Sequence, residues 1–473
     1  MLASVKSAAG VALAALAVAG CGGSGAGTDS RTAAEQPGSA PRGSTGYEFP
    51  PAPEAPTGEL DSATSETLAQ LLDSAAAGRF DADALDGVAD SGDPRLAWLV
   101  SDLLRFTPPG DGEQRLASAF GALTGVDPSR DPSFAQSAWL SVTDHLIAWE
   151  TPAPPGYREL KAKLFVEVEP GWEPFFADAG SAIDWRFVSW GGVPIDDRPL
   201  GDPEPCPGGC IPALDDPALT DADGGDWYPD DRTVFGVVVG GEAVAFPKNV
   251  MEVHEMVNIT IGGRRLGIPY CTLCGSAQAY LLDSVPRGLD QPVLRTSGLL
   301  SRSNKLMYDL RSRSAIDTFT GRALSGPLHD AGVTLDQTSV VASSWGEWKR
   351  AHPDTEIVAR DGGIGRSYPA DPLGVRDDEG PIFPVGDVDP RLPVQAPVIG
   401  VIAPSGDALA FPAEQARAAL RNGDAVVLSG VELVADGDGL RARAGGKEQP
   451  SHQAFWFAWS QFHPGTAVWA PLG

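Results

Sequence analysis

The stretch TVFGVVVGGEAVAFP, residues 233–247, carries the clearest fold signal in the chain. Two apolar runs rich in β-branched residues flank Gly240-Gly241, a pattern typical of two antiparallel strands joined by a tight turn. A related stretch recurs at residues 398–412, with Val-Ile-Gly-Val at its start and Asp-Ala-Leu-Ala-Phe-Pro at its end. The sequence therefore predicts a β-hairpin that is present twice.

A second repeated pattern follows each hairpin. WGEWKRAHPDT at residues 345–355 matches WFAWSQFHPGT at residues 456–466. The two copies keep the same order, but the second is shorter and lacks a counterpart of the stretch around Cys271. We therefore predict an internal duplication, with a first β-rich repeat over residues 206–397 and a second, shorter repeat over residues 398–473.

The chain before the hairpins has helical periodicity. Asp93-Pro94 and Asp131-Pro132 each combine a helix N-cap with proline at the first helical position. Apolar residues at helical spacing follow both, which predicts a small helical domain over residues 58–150, either HEAT-like or a plain bundle. Residues 151–205 are rich in aromatic side chains and are expected to connect it to the β-rich part. The predicted fold class is α+β.

The N-terminus has the features of an export signal. An apolar run, residues 11–20, follows Lys6 and is too short to span a bilayer. It ends in Val18-Ala-Gly-Cys21, which resembles a bacterial lipobox. We predict a lipoprotein signal peptide over residues 1–20, a lipid-modified Cys21, and a disordered Gly/Ser/Pro tether over residues 21–57. The protein would then be an extracytoplasmic, membrane-anchored lipoprotein.

The overall charge restricts the partners. The chain has 35 Lys and Arg residues against 63 Asp and Glu residues, a net charge of −28. Nucleic acid and anionic lipid surfaces repel such a protein, so neither is an expected partner. Membrane contact is expected through the lipid anchor only. A protein partner, if there is one, would bind the helical domain.

Four cysteines remain after the lipobox. Cys271 and Cys274 form a Cys-x-x-Cys pair, which can be a reactive dithiol, a structural disulfide or part of a metal site. Cys206 and Cys210 flank a Pro-Gly-Gly turn that can close a local disulfide. All four could also make one tetrathiolate zinc site, or the first pair could exchange disulfides with the second.

His254 is the histidine closest to the Cys-x-x-Cys pair in sequence. His254-Glu255-x-x-Asn258 lacks the second histidine of the zinc-protease motif. A histidine titrates near neutral pH, so His254 is a candidate ligand or proton carrier beside the cysteines. It could equally be buried and hydrogen-bonded. For a cation that would activate the thiols, the sequence offers Arg264 and Arg265 nearby.

Several motifs together resemble the bacterial and archaeal family known as domain of unknown function 3179. They extend from about Asp196 to the C-terminus. The matching pieces are GEAVAFP (241–247), HEMVN (254–258), YCTLCGSA (270–277), TSGLLSRS (296–303), MYD (307–309), TG (320–321) and FWFAW with HP (455–464).

The resemblance implies chemistry at the cysteine pair. Some members of the family carry selenocysteine at the position of Cys274, and some accompany systems proposed to handle organomercurials or other soft metals. This chain departs from the family after Ser314, where Ala315-Ile-Asp-Thr318 replaces a segment that usually holds Trp and Gln. The resemblance therefore implies a thiol site, and the departure bears on whether that site keeps its activity.

Two hypotheses follow. In the first, Cys271 and Cys274 perform thiol redox chemistry or handle a soft metal ion such as zinc, copper or mercury, with His254 nearby. In the second, the protein is a non-enzymatic, surface-anchored binding or scaffold protein whose cysteines form structural disulfides. The sequence does not establish whether the protein is an enzyme.

Overall fold

The computed structural model describes residues 41–206, 208–374 and 380–471. The predicted signal peptide, the lipidation site Cys21 and the first half of the predicted tether lie outside these ranges. The chain is α+β, with an N-terminal helical region followed by a β-rich region. No helix among the described residues is long and apolar enough to cross a bilayer.

Seven α-helices lie within residues 41–206, the part of the N-terminal region that the structure describes. They are α1 (Ser62–Ala76), α2 (Ala82–Asp90), α3 (Ala97–Arg105), α4 (Asp111–Thr124), α5 (Ala138–Ala148), α6 (Tyr157–Val168) and α7 (Glu173–Ala177). The predicted Asp-Pro starts cap short 3₁₀ turns that lead into α3 and α5, and each aspartate accepts a hydrogen bond from a backbone N–H two residues on.

The predicted boundaries of this region need correction. The helices do not end at residue 150, because α6 and α7 lie in the segment expected to be a connection. Leu164, Phe165, Phe175 and Phe176 belong to the same hydrophobic core as α1–α5. The aromatic side chains of residues 151–205 therefore complete the helical core.

The described end of the predicted tether also packs against the folded body. Phe49 is buried. Its ring lies 5.0 Å from the ring of His145 on α5, and Trp149 Nε1 donates to the carbonyl of Pro50. Residues around Phe49 are therefore part of the helical region, because an apolar ring removes surface from water by docking there.

The β-rich region is built from short strands. They are β1 (Val188–Trp190), β2 (Leu214–Asp215), β3 (Leu219–Asp221), β4 (Thr233–Val239), β5 (Glu242–Pro247), β6 (Met256–Ile261), β7 (Arg264–Cys271), β8 (Ser276–Ala277), β9 (Ala279–Leu281), β10 (Leu294–Ser301), β11 (Asn304–Asp309), β12 (Ala315–Asp317), β13 (Asp336–Thr338), β14 (Val341–Ser344), β15 (Glu356–Val358), β16 (Pro397–Ile402), β17 (Ala408–Pro412), β18 (Val426–Leu428), β19 (Val431–Asp436), β20 (Gly439–Ala444), β21 (Lys447–Gln449), β22 (Ser451–Phe455) and β23 (Ala467–Val468).

Short helices connect some of these strands. They are α8 (Lys248–His254), α9 (Gly326–Asp330), α10 (Trp345–Ala351), α11 (Ala413–Arg421) and α12 (Trp456–Phe462).

Within the described parts of the chain, the strands form five sheets in a propeller-like arrangement of repeated blades. The strand orders are β1-β10-β11-β12, β13-β9-β7-β6-β2 with β8 paired to β7, β14-β4-β5-β15-β3, β22-β16-β17-β23 and β18-β19-β20-β21. The first of these sheets shares its core with the helical region through Leu299, Leu306 and Tyr308. The helices therefore pack directly on one blade.

Two of the sheets repeat the same arrangement. β4 and β5 pair as a hairpin, β14 lies on one side, and β15 lies parallel to β5 on the other. In the other sheet, β16 and β17 form the hairpin, β22 lies beside β16, and β23 lies parallel to β17. Helices α8 and α11 follow the hairpins, and α10 and α12 follow β14 and β22.

The expected single-copy insert is larger than predicted. Between α8 and β14, the first copy carries all strands of two further sheets except β1 and β2, which lie earlier in the chain. The second copy is not empty at the corresponding place, because the four-stranded sheet β18-β19-β20-β21 lies between α11 and β22. That sheet contains no cysteine. The two copies therefore differ in what they carry at this position, and only the first carries the Cys-x-x-Cys pair.

In each copy, the second tryptophan of the Trp-x-x-Trp motif packs against the hairpin of the same copy. Trp348 Nε1 donates to Thr355 Oγ1 at 2.9 Å, and Trp459 Nε1 donates to Thr466 Oγ1 at 3.0 Å. Both indole rings lie over a glycine of the facing strand. A Cβ added at Gly236 would come within 2.3 Å of the Trp348 ring, and one at Gly400 within 2.1 Å of the Trp459 ring.

We predict that Gly236→Ala destabilises the fold by about 1–3 kcal/mol, because a methyl group overpacks the buried indole. Urea unfolding followed by tryptophan fluorescence measures the change. Gly121→Ala on α4 is the matched control. A Cβ added at Gly121 would lie 3.5 Å from the carbonyl oxygen of Val126, an ordinary contact distance. Alanine is also a better helix former than glycine. Equal stability of the two variants would contradict the packing argument.

Candidate functional site

The Cys-x-x-Cys pair lies at the tip of a short hairpin. Strand β7 ends at Cys271, and the register pairs Cys271 with Ser276 on β8. Inside this turn the backbone N–H of Cys274 donates to the carbonyl of Cys271 at 3.2 Å. Gly275 has a φ of 57°, which favours glycine, and a Cβ there would meet the ring of Phe455 at 2.9 Å. The turn therefore holds both cysteines against α12 and its flanks.

Both cysteines are free thiols, and both are buried. Cys271 is 2% exposed and Cys274 is 0% exposed. Each Sγ points to the carbonyl of Ser303, at 3.8 Å from Cys271 and 3.5 Å from Cys274. Cys274 Sγ also lies 3.7 Å from Asn304 Oδ1. The two-residue turn between β10 and β11, Arg302-Ser303, thus brings a neighbouring sheet against the thiols.

A buried ion pair adjoins the thiols. Lys305 on β11 pairs with Glu255 at 2.7 Å, and its Nζ also donates to the carbonyls of Glu255 and Tyr270. Thr272, between the two cysteines, donates to Glu255 Oε1 at 3.0 Å. Glu255 has a φ of 50°, in the left-handed region that is rare for a residue with a side chain. The ion pair therefore links the cysteine turn to β11.

The two thiols have different acidities. Burial acts to raise the pKa of Cys271, but the hydrogen bond from Cys274 and the charge of Lys305 outweigh it, and the pKa falls below its ordinary value. Burial raises the pKa of Cys274 well above its ordinary value, and the neighbouring Cys271 sulfur raises it further. The site therefore favours a Cys271 thiolate that accepts a hydrogen bond from the Cys274 thiol.

The structure separates the other two cysteines from this site. Cys206 and Cys210 form a disulfide, with their Cα atoms 5.3 Å apart. The expected tetrathiolate zinc site is therefore wrong, because two of its four ligands are bonded to each other. The expectation that Cys271 and Cys274 might form a structural disulfide is also not met, since both are free.

His254 does not join the thiols. Its Nδ1 lies 2.7 Å from the carbonyl of Pro212, and its Nε2 lies 2.8 Å from the hydroxyl of Tyr368. The ring lines a separate cleft with Arg198, Asp215 and Arg366. The predicted Cys271–Cys274–His254 metal set is therefore wrong, and the hydrogen-bonded alternative describes this residue.

A third ligand from another side chain is also missing. Among the described residues, the one group of three or more His, Cys, Asp or Glu ligand atoms within 4.8 Å of one another is Asp196 with Cys206 and Cys210. Those two sulfurs are already bonded to each other. Cys271 and Cys274 therefore offer two sulfur ligands without a histidine or carboxylate to complete a tetrahedral zinc site.

The cation that the sequence offered for the thiols is a different residue. Arg264 pairs with Asp283, and Arg265 pairs with Asp216. Lys305 takes the expected role, and it was missed because it lies 31 residues beyond Cys274 on another strand. The sequence feature that could have pointed to Lys305 is its position two residues after the TSGLLSRS motif.

The segment that departs from the family pattern lies close to the thiols. Asp317 accepts hydrogen bonds from the backbone N–H groups of Phe319 and Thr320, each at 2.8 Å. Burial raises the pKa of Asp317, and its charge contributes to the raised pKa of Cys274. Thr318 Oγ1 is buried without a hydrogen-bond partner among the described residues. Asp317 of this segment therefore forms part of the electrostatic surroundings of Cys274.

Fold and site together define a β-rich protein with propeller-like blades and one buried dithiol. Residues 208–439 match the family model described as a protein of unknown function, DUF3179. This part of the chain therefore resembles the family that its motifs indicated. No curated protein and no solved structure matches it. The matched segment holds Cys271, Cys274, Glu255 and Lys305.

We predict opposite effects from the two members of the ion pair. Lys305→Met removes the positive charge that favours the Cys271 thiolate, so the pKa of Cys271 rises. Glu255→Gln removes the negative charge that opposes the thiolate, so the pKa falls. Ultraviolet absorbance of the thiolate against pH measures both, with a Cys271→Ser, Cys274→Ser variant as the baseline. Shifts in the same direction would contradict the assignment.

A second prediction concerns His254. Burial lowers its pKa to about 4, so the folded protein keeps the ring neutral where the unfolded chain protonates it. The unfolded state then binds more protons, and stability falls as pH drops from about 6.5 to about 4. His254→Gln is expected to remove up to about 1.4 kcal/mol per pH unit from that slope. Urea unfolding at several pH values tests this, and an unchanged slope would contradict it.

Proposed function

We propose that the protein performs thiol chemistry at Cys271 and Cys274, either reversible dithiol oxidation or soft-metal handling. One observation carries the proposal. Two free thiols share one carbonyl, and a buried lysine favours the thiolate of one of them. Unequal thiol pKa values give no benefit to a pair of cysteines with a purely structural role. They do benefit a reactive pair, because the thiolate is the form that attacks as a nucleophile and binds a metal.

The ligand set favours a soft ion that needs few ligands. Among the described residues, no imidazole or carboxylate atom joins the two sulfurs in a set within 4.8 Å of one another. Two such sulfurs suit monovalent copper or divalent mercury, both of which accept two thiolates in a linear arrangement. Zinc requires four ligands, so it fits this pair less well. Both cysteines must lose their protons to bind the metal, and the raised pKa of Cys274 makes binding weaker at low pH.

The redox alternative uses the same asymmetry. The Cys271 thiolate would attack the disulfide of a partner and form a mixed disulfide, releasing one partner thiolate. Cys274, once deprotonated, would then attack the Cys271 sulfur, closing the Cys271–Cys274 disulfide and releasing the second partner sulfur as a thiolate. The pair gives two electrons to the partner disulfide, and the proton of Cys274 passes to one of the two partner thiolates that are released. Because both thiols are buried, a partner would reach them only through a local opening of the fold.

Export supports the same chemistry. We propose that the protein is an extracytoplasmic lipoprotein anchored through Cys21. The Cys206–Cys210 disulfide supports an oxidising compartment, where such bonds persist. The matching strand orders around β4 and β16 support the proposed internal duplication, with the thiol turn carried by the first copy alone.

The experiment that tests this function combines thiol and metal measurements on the mature protein. We expect slow thiol labelling by a disulfide reagent in the folded state, limited by local opening, and rapid labelling of two thiols after unfolding. We also expect that one equivalent of monovalent copper or divalent mercury binds, and that Cys274→Ser removes this binding. The variant Cys206→Ser, Cys210→Ser serves as the control and should still bind the metal.

Two results would oppose the proposal. One is a protein that neither binds a soft metal nor forms a reversible Cys271–Cys274 disulfide with glutathione of varied redox poise. The other is equal metal binding by wild type and Cys274→Ser. A Cys274→Ser variant with lower stability and no other change would instead favour a non-enzymatic scaffold whose partner binds the helical region.

A further inference from the structure

One lysine and one aspartate are buried together in the core of the helical region. Asp102 on α3 is 5% exposed, and Lys161 on α6 is 1% exposed. Lys161 Nζ lies 2.7 Å from Asp102 Oδ1. Tyr157 lies one turn before Lys161 on the same face of α6, because residues four apart in a helix are neighbours. The two helices therefore enclose an amine, a carboxyl group and a phenol in one place.

These three polar groups contact one another in a closed ring. The Tyr157 hydroxyl donates to Asp102 Oδ2 at 2.8 Å, and Lys161 Nζ lies 3.2 Å from the Tyr157 oxygen. Apart from Asp102 Oδ1 and this oxygen, no acceptor lies at hydrogen-bond distance from Nζ within the residues that the structure describes. Nζ also lies 4.7 Å from the centre of the Phe165 ring. An ammonium group with three N–H donors thus has two polar neighbours.

Lys305 shows how another buried ammonium group is satisfied in this protein. It pairs with Glu255 at 2.7 Å and also donates to the carbonyls of Glu255 and Tyr270, so each of its three N–H groups has an acceptor. At the other pair, burial raises the pKa of Asp102 and lowers the pKa of Lys161. Both shifts favour the uncharged acid and amine, which are the forms that can react with each other.

The geometry suits attack of the amine on the carboxyl carbon. A nitrogen 2.7 Å from a carboxyl oxygen is about 3.5 Å from the carbon that bears this oxygen, the separation of a near-attack conformer. Groups held in this way react as if at an effective concentration of about 10⁵–10⁸ M. Asp102 and Lys161 also line a cavity of about 10 Å³, which has room for about one water molecule. Condensation of an acid with an amine releases one water.

We propose that Lys161 and Asp102 form an amide bond, which joins α6 covalently to α3. The free amine of Lys161 attacks Cγ of the Asp102 acid, and a carbon–nitrogen bond forms. One proton of the nitrogen passes through the Tyr157 hydroxyl to the Oδ2 hydroxyl, the Cγ–Oδ2 bond breaks, and Oδ2 leaves as water. The step involves no change of oxidation state. The product is neutral, so it removes the cost of keeping two charges buried.

Peptide mapping of the whole mature protein by mass spectrometry tests the proposal. Protease digestion should release a branched peptide that contains both residues and is lighter than the two separate peptides by one water. The peptides of Lys305 and Glu255 serve as the internal control and should stay separate. Loss of water at an Asp-Gly step, such as Asp436-Gly437, leaves a single unbranched peptide, so fragmentation of the branched peptide distinguishes the two reactions.

Two variants separate the bond from the ion pair. Lys161→Met removes the nucleophile, so the branched peptide should be absent. Tyr157→Phe keeps the ring but removes the proton relay, so the linked fraction in freshly purified protein should fall by about tenfold or more. Circular dichroism reports whether each variant folds, and the wild-type digest decides the main question without them.

The proposal is overturned if the folded wild type gives only separate peptides for Asp102 and Lys161, or if fragmentation places the bond between other residues. A folded Tyr157→Phe variant with the linked fraction of the wild type would overturn the role of the tyrosine as the relay.

Discussion

The β-rich region depends on one buried arginine, Arg295 on β10. Its guanidinium makes two hydrogen bonds to Asp215 at 2.9 Å and 2.6 Å, and its Nε lies 3.7 Å from Asp196. Asn258 on β6 also donates to Asp215. Arg295, Asp196 and Asp215 are almost completely buried, so the loss of one partner would leave an uncompensated charge at a cost of about 3–5 kcal/mol. This network joins the sheet of β10 to the sheet of β6 and β7.

That junction places the thiol site. Strand β10 leads into the Arg302-Ser303 turn, and β7 leads into the cysteine turn. The two turns meet at the Ser303 carbonyl because the Arg295 network and the Lys305–Glu255 pair hold their sheets together. The Cys206–Cys210 disulfide sits beside the same network, with Cys206 Sγ 3.8 Å from Asp196. The Cys206–Cys210 disulfide thus lies beside the network that joins the two sheets, and the thiols of Cys271 and Cys274 lie where the two turns meet.

The helical region also reaches the thiol site. Asp144 on α5 accepts hydrogen bonds from the backbone N–H groups of Val385 and Gly386, both at 2.7 Å. Val385 belongs to the same hydrophobic cluster as Cys271 and Cys274. The helical region is therefore packed against the blades, and Asp144 holds a loop whose Val385 joins the hydrophobic cluster around the dithiol.

Much of the architecture could be read from local patterns. The repeated hairpins and tryptophan motifs are local in sequence, since alternation, a Gly-Gly turn and a sealing indole act within a few residues. The helical region was also readable, but its end was not, because α6 and α7 follow several prolines and are stabilised by packing. The second copy's four-stranded sheet could not be assembled from local patterns alone, because its outer strands β18 and β21 are only three residues long each.

The sequence by itself determined the fold class, the resemblance to the family, the repeated hairpins and the Cys271–Cys274 motif, because each depends on residue types at short spacing. Only the tertiary structure decided which cysteines pair, that Lys305 rather than Arg264 or Arg265 adjoins the thiols, and that His254 lies elsewhere. The physical reason is that these contacts join residues from different sheets. Their energies depend on burial and distance in the folded chain, and spacing along the sequence contains neither quantity.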